Sequence, residues 1–355
     1  MNNSGVVLSS VWGVSYDSSS TMFQLFDESI SSYMDTHGKL PDCIYVTSST
    51  ELSFFTFKEM VDVFYKLTSK YSKIPIKIVS QGCLGLFAVT LEFSKSQHKS
   101  VLAWVIEAPD QCVQDGLNGL GIGNLPGQDG LVIDSSYGGF ELTKKEKNLL
   151  THDDYVIDSC KIVSVSTDLS QQAATILKMS KHLVELNEQI PGKYVSFDVS
   201  APWSKAISHT IQMMVSKKLP DSQWLSSLEY DHRHFMSMKQ LFEFRAYKEH
   251  CESGSLIMTG LGVGGRFGIL RIIKGNQFTQ NWMQEPREIH GDFEAHLEYC
   301  RSVLIDRKGC VDQKIKEGVL CFQKEYRGIE DLYFSWDMDN SYLERLAKEK
   351  GHQYA

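Results

Sequence analysis

Strand-like and helix-like patterns alternate along most of this chain, and the alternation occurs twice. In the first series, apolar and β-branched runs predict strands at 5–14, 43–47, 76–79, 100–106 and 130–133, with helices at 21–34, at 56–70 and after residue 83. In the second series, strands are predicted at 155–166, 193–199, 255–259 and 267–273, with helices at 173–184, 203–217 and 237–250. Strands separated by helices form parallel sheets, so the sequence predicts an α/β protein built from two related halves.

The predicted elements divide the chain into three parts. Residues 1–150 are predicted to form an N-terminal half and residues 151–275 a C-terminal half. Residues 276–355 are rich in charge and in aromatic side chains, and their apolar residues recur at helical spacing. We expect this segment to be a helical C-terminal extension that serves as a lid, a partner-binding appendage or a dimer arm.

Composition and charge exclude several classes of function. The 355 residues carry a net charge of −8 without a basic stripe, so a nucleic-acid partner is not expected. The N-terminus lacks the features of a signal peptide, and no apolar run is long enough to span a membrane. The eight cysteines contain no C-x-x-C pair, which argues against a zinc ribbon and against a disulfide scaffold. These features predict a soluble cytoplasmic protein with reduced thiols and no metal or cofactor.

Cys83 is the candidate nucleophile. It follows the strand 76–79 and a glycine, and an apolar helical pattern begins directly after it. At the N-terminus of a helix, unpaired backbone N–H groups and the helix dipole favour the thiolate, which is the nucleophilic form of cysteine. The local sequence alone does not separate this interpretation from a buried structural thiol, because cysteine is among the most buried residue types.

A glycine-rich motif, Gly-Leu-Gly-Val-Gly-Gly at 260–265, matches the G-x-G-x-x-G pattern of dinucleotide sites. Such a site requires the glycines to open a helix that receives the pyrophosphate. Residues 266–273 have the pattern of a strand instead. The glycines therefore indicate a tight turn between two strands, whose backbone N–H groups are able to face a substrate.

The densest polar cluster in the chain, Tyr-Asp-His-Arg-His at 230–234, supplies candidate bases. His232 and His234 are two residues apart but have no evident third ligand nearby, so a metal site is not predicted. A histidine that acts as general base on a thiol or alcohol is the functional alternative to a solvated loop. Glu107 ends a predicted strand and is a candidate site carboxylate, but a charge at the end of a strand is more often solvated.

These features together resemble the thiolase superfamily, and most closely its β-ketoacyl-(acyl carrier protein) synthase III branch. The motifs that carry the resemblance are Ser-Gln-Gly-Cys83-Leu-Gly, the glycine-aspartate segment 127–133, and the final strand–turn–strand at 255–273. The resemblance covers residues 5 to about 274 and implies a thiolase-like five-layered α/β/α/β/α sandwich of two duplicated halves, normally dimeric. It also implies that Cys83 is acylated by an acyl-carrier-protein or coenzyme A thioester.

The chain departs from the family at two motifs. The family's catalytic histidine has no counterpart in Phe-Asp-Val-Ser-Ala-Pro-Trp-Ser at 197–204, and His232 stands where its asparagine would be. That histidine–asparagine pair stabilises the carbanion formed when a malonyl group loses carbon dioxide, so decarboxylative condensation is placed in doubt.

Acyl transfer without decarboxylation needs fewer groups. Cys83 would attack a thioester, with the oxyanion held by the backbone N–H of Cys83 and by the turn at Gly262, Val263 and Gly264. His232 or His234 would deprotonate the acceptor. We therefore expect an acyltransferase of fatty-acid-like or specialised metabolism, as a homodimer or as a heterodimer with a related subunit. A catalytically silent partner subunit and a decarboxylating β-ketoacyl synthase remain the alternatives.

Overall fold

A mixed sheet of eleven strands is the framework of the chain and contains both predicted halves. The computed structural model describes residues 4–15, 22–47, 70–71, 74–79, 83–107, 130–131, 136–164, 172–189, 194–196, 210–219, 223–225, 233–234, 236–250, 254–262, 266–278 and 336–338. The strands are numbered β1 to β13 in the order of the sequence, and their residue ranges are given below. Across the large sheet they lie in the order β13-β3-β2-β4-β6-β1-β7-β12-β11-β8-β9, while β5 and β10 form a separate two-stranded sheet.

The N-terminal half contributes five strands to the large sheet. These are β1 (Ser4–Ser15), β2 (Cys43–Thr47), β3 (Ile76–Ile78), β4 (Ser100–Glu107) and β6 (Ser136–Glu146), with helices α1 (Met22–His37) and α2 (Gly85–Lys95). Strands β3, β2 and β4 are parallel, whereas β6 is antiparallel to both β4 and β1. If the five strands of this half are numbered one to five along the sequence, their order across the sheet is third, second, fourth, fifth and first.

The C-terminal half repeats this arrangement. Its strands are β7 (Tyr155–Ser164), β8 (Tyr194–Ser196), β9 (Gln223–Leu225), β11 (Leu256–Gly262) and β12 (Arg266–Lys274), with helices α3 (Gln172–Gln189) and α4 (Lys239–His250). Its last strand, β12, is again antiparallel to both neighbours, and β9, β8 and β11 are parallel. The order is the same as in the first half, read from the opposite end of the sheet.

The two first strands join the halves. Val6 pairs with Ile157 and Val7 with Val156 in an antiparallel contact between β1 and β7. The junction therefore lies on an approximate two-fold axis that relates the two halves.

Helices α2 and α4 lie in the centre of the molecule. One core cluster unites buried residues of α2 and α4 with inward-facing residues of β1, β2, β4, β6, β7, β11 and β12. Almost every side chain of α2 is buried, from Gly85 to Phe93. A helix that is apolar on nearly all sides is covered on all sides, and α4 contacts strands of both halves. The two helices therefore form the middle layer between the two halves of the sheet.

The outer faces of the sheet are covered by the other helices. In the N-terminal half, Phe26 of α1 stacks on Trp104 of β4 with ring centroids 4.1 Å apart. In the C-terminal half, a second cluster joins Met179 and Leu183 of α3 to Ile257 of β11 and to Phe267 and Ile269 of β12. The layers are therefore helix, sheet, helix, sheet, helix, which confirms the predicted five-layered architecture of two duplicated halves.

Some predictions of individual elements need correction. The strand β6 was not predicted, because Ser-Tyr-Gly-Gly-Phe-Glu-Leu-Thr-Lys-Lys-Glu combines two glycines with a charged end. Its place between β1 and β4 buries it regardless of that local sequence. Residues 233–234, predicted as part of a polar loop, form the short strand β10, which pairs with β5 (Gly130–Leu131).

Much of the predicted helix 56–70 and of the predicted helical extension lies outside the described residues. Within the extension, Trp336–Met338 form the strand β13, antiparallel to β3 at the edge of the sheet. The boundaries predicted for the three parts of the chain, at 150 and 275, stay predictions.

Candidate functional site

Cys83 lies two residues before the central helix α2. The helix begins at Gly85, one residue later than predicted, and Leu84 occupies the N-cap position without a side-chain capping bond. The Cys83 side chain is 3% exposed, and the residue is not disulfide-bonded. The first N–H groups of a helix have no partner within the helix, so the thiol lies at the end of α2 that attracts negative charge.

Cys160 provides a contrast with Cys83. Its Sγ contacts the carbonyl oxygen of Phe87, 3.6 Å away, from the neighbouring strand β7. Complete burial raises the pKa of the Cys160 thiol far above its usual range, and a hydrogen bond from the Lys161 backbone only partly opposes that effect. Cys160 is therefore a structural thiol, although it lies against the same helix.

Two glycines make room for the start of α2. Gly260 of β11 and Gly268 of β12 lie directly opposite each other in the sheet. A Cβ atom on Gly260 would lie 2.8 Å from Leu84 Cδ2, and one on Gly268 would lie 2.9 Å from Phe87 Cγ. We call this pair the glycine notch. The glycine motif at 260–265 was predicted to form only a turn, and its role in packing against α2 was not predicted.

The starts of the two central helices meet beside Cys83. A Cβ atom on Gly85 would lie 2.8 Å from Thr47 Oγ1 and 3.3 Å from Ser237 Cβ. Ser237 belongs to the 3-10 turn Met236–Met238, which leads directly into α4. The N-terminal half therefore supplies Thr47 and Gly85 to this place, and the C-terminal half supplies Ser237.

Glu107 connects the end of β4 to the start of α4. It ends β4, and its side chain is buried, not solvated as predicted, because the turn before α4 covers it. Its Oε1 accepts a hydrogen bond from the Ser237 backbone N–H over 3.1 Å. Thr47 and Glu107 both stand at the carboxyl ends of parallel strands, the edge at which α/β sheets place their sites. Their position at the carboxyl ends of predicted parallel strands was therefore a sequence signal from which both residues could have been identified as site residues.

Two buried polar side chains near the start of α2 lack partners. Within the described part of the chain, neither Thr47 Oγ1 nor the two polar atoms of the Gln240 amide has a hydrogen-bond partner. The Gln240 Nε2 atom lies 2.9 Å from the point where a Cβ on Gly260 would stand, which places the amide against the glycine notch. Buried polar groups without partners are costly, so a substrate atom or an ordered water is able to satisfy them.

The structure describes the other predicted site residues only in part. His234 lies in β10, opposite Leu131, and its side chain is outside the described residues, as is the whole of His232. Gly262 ends β11 opposite Arg266, which confirms a tight connection between two strands and excludes a helix-opening dinucleotide motif. Val263 and Gly264 lie outside the described residues. The pairing of Cys83 with a histidine base, and the oxyanion site, stay predictions.

Among the described residues, no group of three or more His, Cys, Asp or Glu side chains is placed to bind a metal ion. None of the helices in the same residues is long and apolar enough to cross a membrane.

Comparison with known proteins gives a likeness of fold. No family model matches the sequence, and no curated protein matches it. Solved structures similar to the chain include AbyA1, a tetronic acid condensing enzyme, at 11% identity and a TM-score of 0.49, covering 72% of this chain and 83% of that one. A variant of OleA from Xanthomonas campestris has 9% identity and a TM-score of 0.46, covering 77% of this chain and 100% of the other.

A further similar structure is 3-oxoacyl-[acyl-carrier-protein] synthase III from Aquifex aeolicus VF5, at 12% identity and a TM-score of 0.44. It covers 76% of this chain and 98% of the other. Likeness at this level says nothing about chemistry. The fold is identified by the repeated strand order and the five layers of this chain itself.

Proposed function

We propose that this protein is an acyl-transferring enzyme that carries its acyl group on Cys83. The observation that supports the proposal is the position of the thiol, two residues before α2 and near the place where the two central helices begin. A thiolate at a helix N-terminus is a suitable nucleophile for a thioester. The substrate class, an acyl thioester of an acyl carrier protein or of coenzyme A, comes from the family resemblance.

The reaction has two steps. Cys83 Sγ attacks the thioester carbonyl carbon, the new C–S bond forms, and the carbonyl oxygen becomes an oxyanion. Collapse of this intermediate breaks the C–S bond to the donor thiol, which leaves as a thiolate and takes up a proton. In the second step the acceptor attacks the acyl group, His232 or His234 takes the acceptor's proton, and Cys83 leaves as the thiolate.

The proposed reaction excludes decarboxylation. The segment 197–204 contains no histidine, so one member of the pair that stabilises a carbanion is missing from the sequence. Transfer to an amine, alcohol or thiol requires only the nucleophile, an oxyanion site and one base. The dimeric state and a cytoplasmic location remain predictions from the sequence.

The test is intact-mass spectrometry of the purified chain after incubation with acyl-coenzyme A and acyl-carrier-protein thioesters. We expect a mass gain of one acyl group that is lost in Cys83→Ala and retained in Cys160→Ala, the matched buried thiol. Absence of any adduct across a range of acyl chains would contradict the proposal and favour a catalytically silent partner subunit.

A second measurement addresses decarboxylation. With a malonyl thioester, release of carbon dioxide that depends on Cys83 would show a condensing enzyme instead. Transfer of the acyl group to hydroxylamine, without carbon dioxide release, supports the proposed reaction. Alanine at His232 or His234 should slow this transfer while self-acylation continues.

A further inference from the structure

Glu107 is a buried carboxylate that connects the two halves of the molecule. It belongs to β4 of the N-terminal half, and its side chain is 1% exposed. Its Oε1 accepts the backbone N–H of Ser237, which precedes α4 of the C-terminal half. Burial of a carboxylate is costly unless hydrogen bonds compensate for the lost water, so its place at this junction requires a specific set of contacts.

The contact lies close to the proposed nucleophile. Ser237 Cβ is 3.3 Å from the position of a Cβ on Gly85, two residues after Cys83. Ser237 is also three residues after His234, one of the two candidate bases. Glu107 therefore binds a residue that follows a proposed base by three positions and that lies close to the helix after the nucleophile.

The location also suits a negative charge. The N–H groups at the start of a helix carry a partial positive charge and lack partners within the helix. Glu107 supplies an acceptor for one of these groups at the start of the segment that becomes α4. A carboxylate bonded to a backbone N–H makes a stronger hydrogen bond than a neutral acceptor does.

We propose that Glu107 is a positioning residue for the second step of acyl transfer. Its hydrogen bond fixes the start of α4, and with it the backbone of His234 three residues earlier in the sequence, relative to Cys83. The inference rests on the proposed function. In this role Glu107 neither contacts the substrate nor transfers a proton. Acylation of Cys83 should therefore depend on Glu107 far less than transfer to the acceptor does.

The test compares Glu107→Gln, which keeps an oxygen able to accept the Ser237 N–H, with Glu107→Ala, which removes it. In single-turnover measurements we expect Glu107→Ala to slow transfer from acyl-Cys83 by about 30-fold, roughly the effect of a misplaced group. Formation of acyl-Cys83 should stay within about threefold. Glu107→Gln should restore transfer to within a few-fold of wild type, with an unchanged pH profile.

Tyr247→Phe is the matched control. The Tyr247 hydroxyl donates to the Gly254 carbonyl over 2.6 Å near the other end of α4, so its loss weakens the same helix far from Cys83. This variant should leave both steps unchanged. If it slowed transfer as Glu107→Ala does, the effect would be general loosening of α4 and the positioning role would be wrong.

Two other results would overturn the inference. Equal loss in Glu107→Gln and Glu107→Ala would mean that the carboxylate charge takes part in the chemistry. Wild-type transfer in Glu107→Ala would mean that the hydrogen bond positions nothing.

Hydrogen exchange gives a readout that needs no acyl chemistry. Glu107→Ala should speed exchange of the backbone amides at 236–240, while Glu107→Gln should preserve their protection. If no acyl adduct forms on the wild type, the proposed function fails and this comparison still decides whether Glu107 orders the start of α4. Unchanged exchange in Glu107→Ala would contradict the inference by itself.

Discussion

The glycine notch shows how single residues determine the position of Cys83. Gly260 and Gly268 face the first turn of α2, where Leu84 and Phe87 occupy the space that side chains on the strands would fill. Leu84 and Phe87 are fully buried, so neither has room to move away. The depth at which α2 starts, and with it the position of Cys83, therefore depends on these two glycines.

Gly268→Ala is expected to destabilise the protein by about 1–3 kcal/mol, the usual cost of overpacking a core. The new Cβ would lie 2.9 Å from Phe87 Cγ, which is the rigid part of that ring. Chemical denaturation measures this loss. The variant should also change the rate at which Cys83 reacts with an acyl thioester.

The control for this prediction is Gly38→Ala. Gly38 has a φ of +66°, and a Cβ atom added to it would have no neighbour within 4 Å. Alanine at this position should therefore lower the free energy of unfolding only by the cost of a left-handed backbone conformation, about 1 kcal/mol. The reactivity of Cys83 should be the same as in wild type. A Gly268→Ala variant that matched Gly38→Ala in both measurements would show that the notch does not position α2.

Residues differ in how far the sequence predicts them. The place of Cys83 before a buried helix was predictable, because a strand, a glycine and an apolar helical run are local patterns. The burial of Glu107 was not predictable in the same way, since the turn at Ser237 that covers it is 130 residues away in the sequence. Local patterns place a residue on an element, whereas long-range packing decides which residues meet.

At the scale of elements, a contact that involves a charged side chain connects the outer helix of each half to the last strand of that half. In the N-terminal half, His37 in the last turn of α1 is 3.0 Å from Glu141 of β6. In the C-terminal half, Arg271 of β12 donates to the carbonyl of Leu186 near the end of α3, over 2.6 Å. The position is the same in the two halves, but the chemistry has diverged.

Arg271 has the more buried of these contacts. Its guanidinium also donates to both carboxylate oxygens of Asp158 on β7, at 2.7 and 3.0 Å, and both side chains are almost fully buried. Three elements therefore meet at one arginine. Removing one member of a buried pair leaves the other charge without compensation.

Arg271→Met is expected to lower the free energy of unfolding by about 3–5 kcal/mol. The double variant Asp158→Asn/Arg271→Met should lose less than the sum of the two single losses, because the residues interact directly. A double-mutant cycle by urea denaturation measures both.

The control, Arg245→Met, breaks the exposed pair with Glu249 on α4 and should cost no more than about 0.5 kcal/mol. Additive losses at Asp158 and Arg271 would argue against coupling.

The elements themselves were largely predictable, and the exception is informative. Strands β2 and β4 are continuous apolar runs, as expected for parallel strands covered on both faces. Strand β6 is glycine-containing and ends in charge, so its own sequence does not predict a strand. Its glycines Gly138 and Gly139 are needed where Met238 and Trp12 pack against the sheet. Tertiary packing overrides local propensity there.

At the scale of the whole molecule, partly buried aspartates make the fold sensitive to acid. Asp154 connects the end of β6 to the start of β7, and Asp42 connects the starts of β2 and β4. Burial by itself would raise the pKa of Asp154, but hydrogen bonds from Lys145 and Thr151 outweigh it and hold the pKa below 3.8. The pKa of Asp42 is lowered in the same way, by the backbone N–H groups of Lys99 and Ser100.

A lowered pKa means that the unfolded state binds more protons than the folded state. The stabilisation from Asp154 and Asp42 is therefore present above about pH 4 and is lost as the pH falls through their folded values. We expect the free energy of unfolding to fall below about pH 4, with a shallower fall in Asp154→Asn. Urea denaturation across a pH series measures this slope.

Asp153→Asn, at an exposed neighbour, is the control and should leave the slope unchanged. Equal slopes in the Asp154→Asn variant and wild type would mean that Asp154 contributes nothing to acid sensitivity.

The crossed packing of the central helices also limits how the molecule can be divided. Helix α2 contacts β7 and β12 of the other half, and α4 contacts β1 and β6. A chain cut in the connection around Lys147–Leu149 would leave each fragment with a central helix whose buried face also packs against strands of the other fragment. We expect neither fragment to remain soluble alone and the two to assemble when co-expressed. By the same logic, an ancestral single copy could have buried its helix only against a second copy, so the duplication would have fused the two chains of a symmetric dimer.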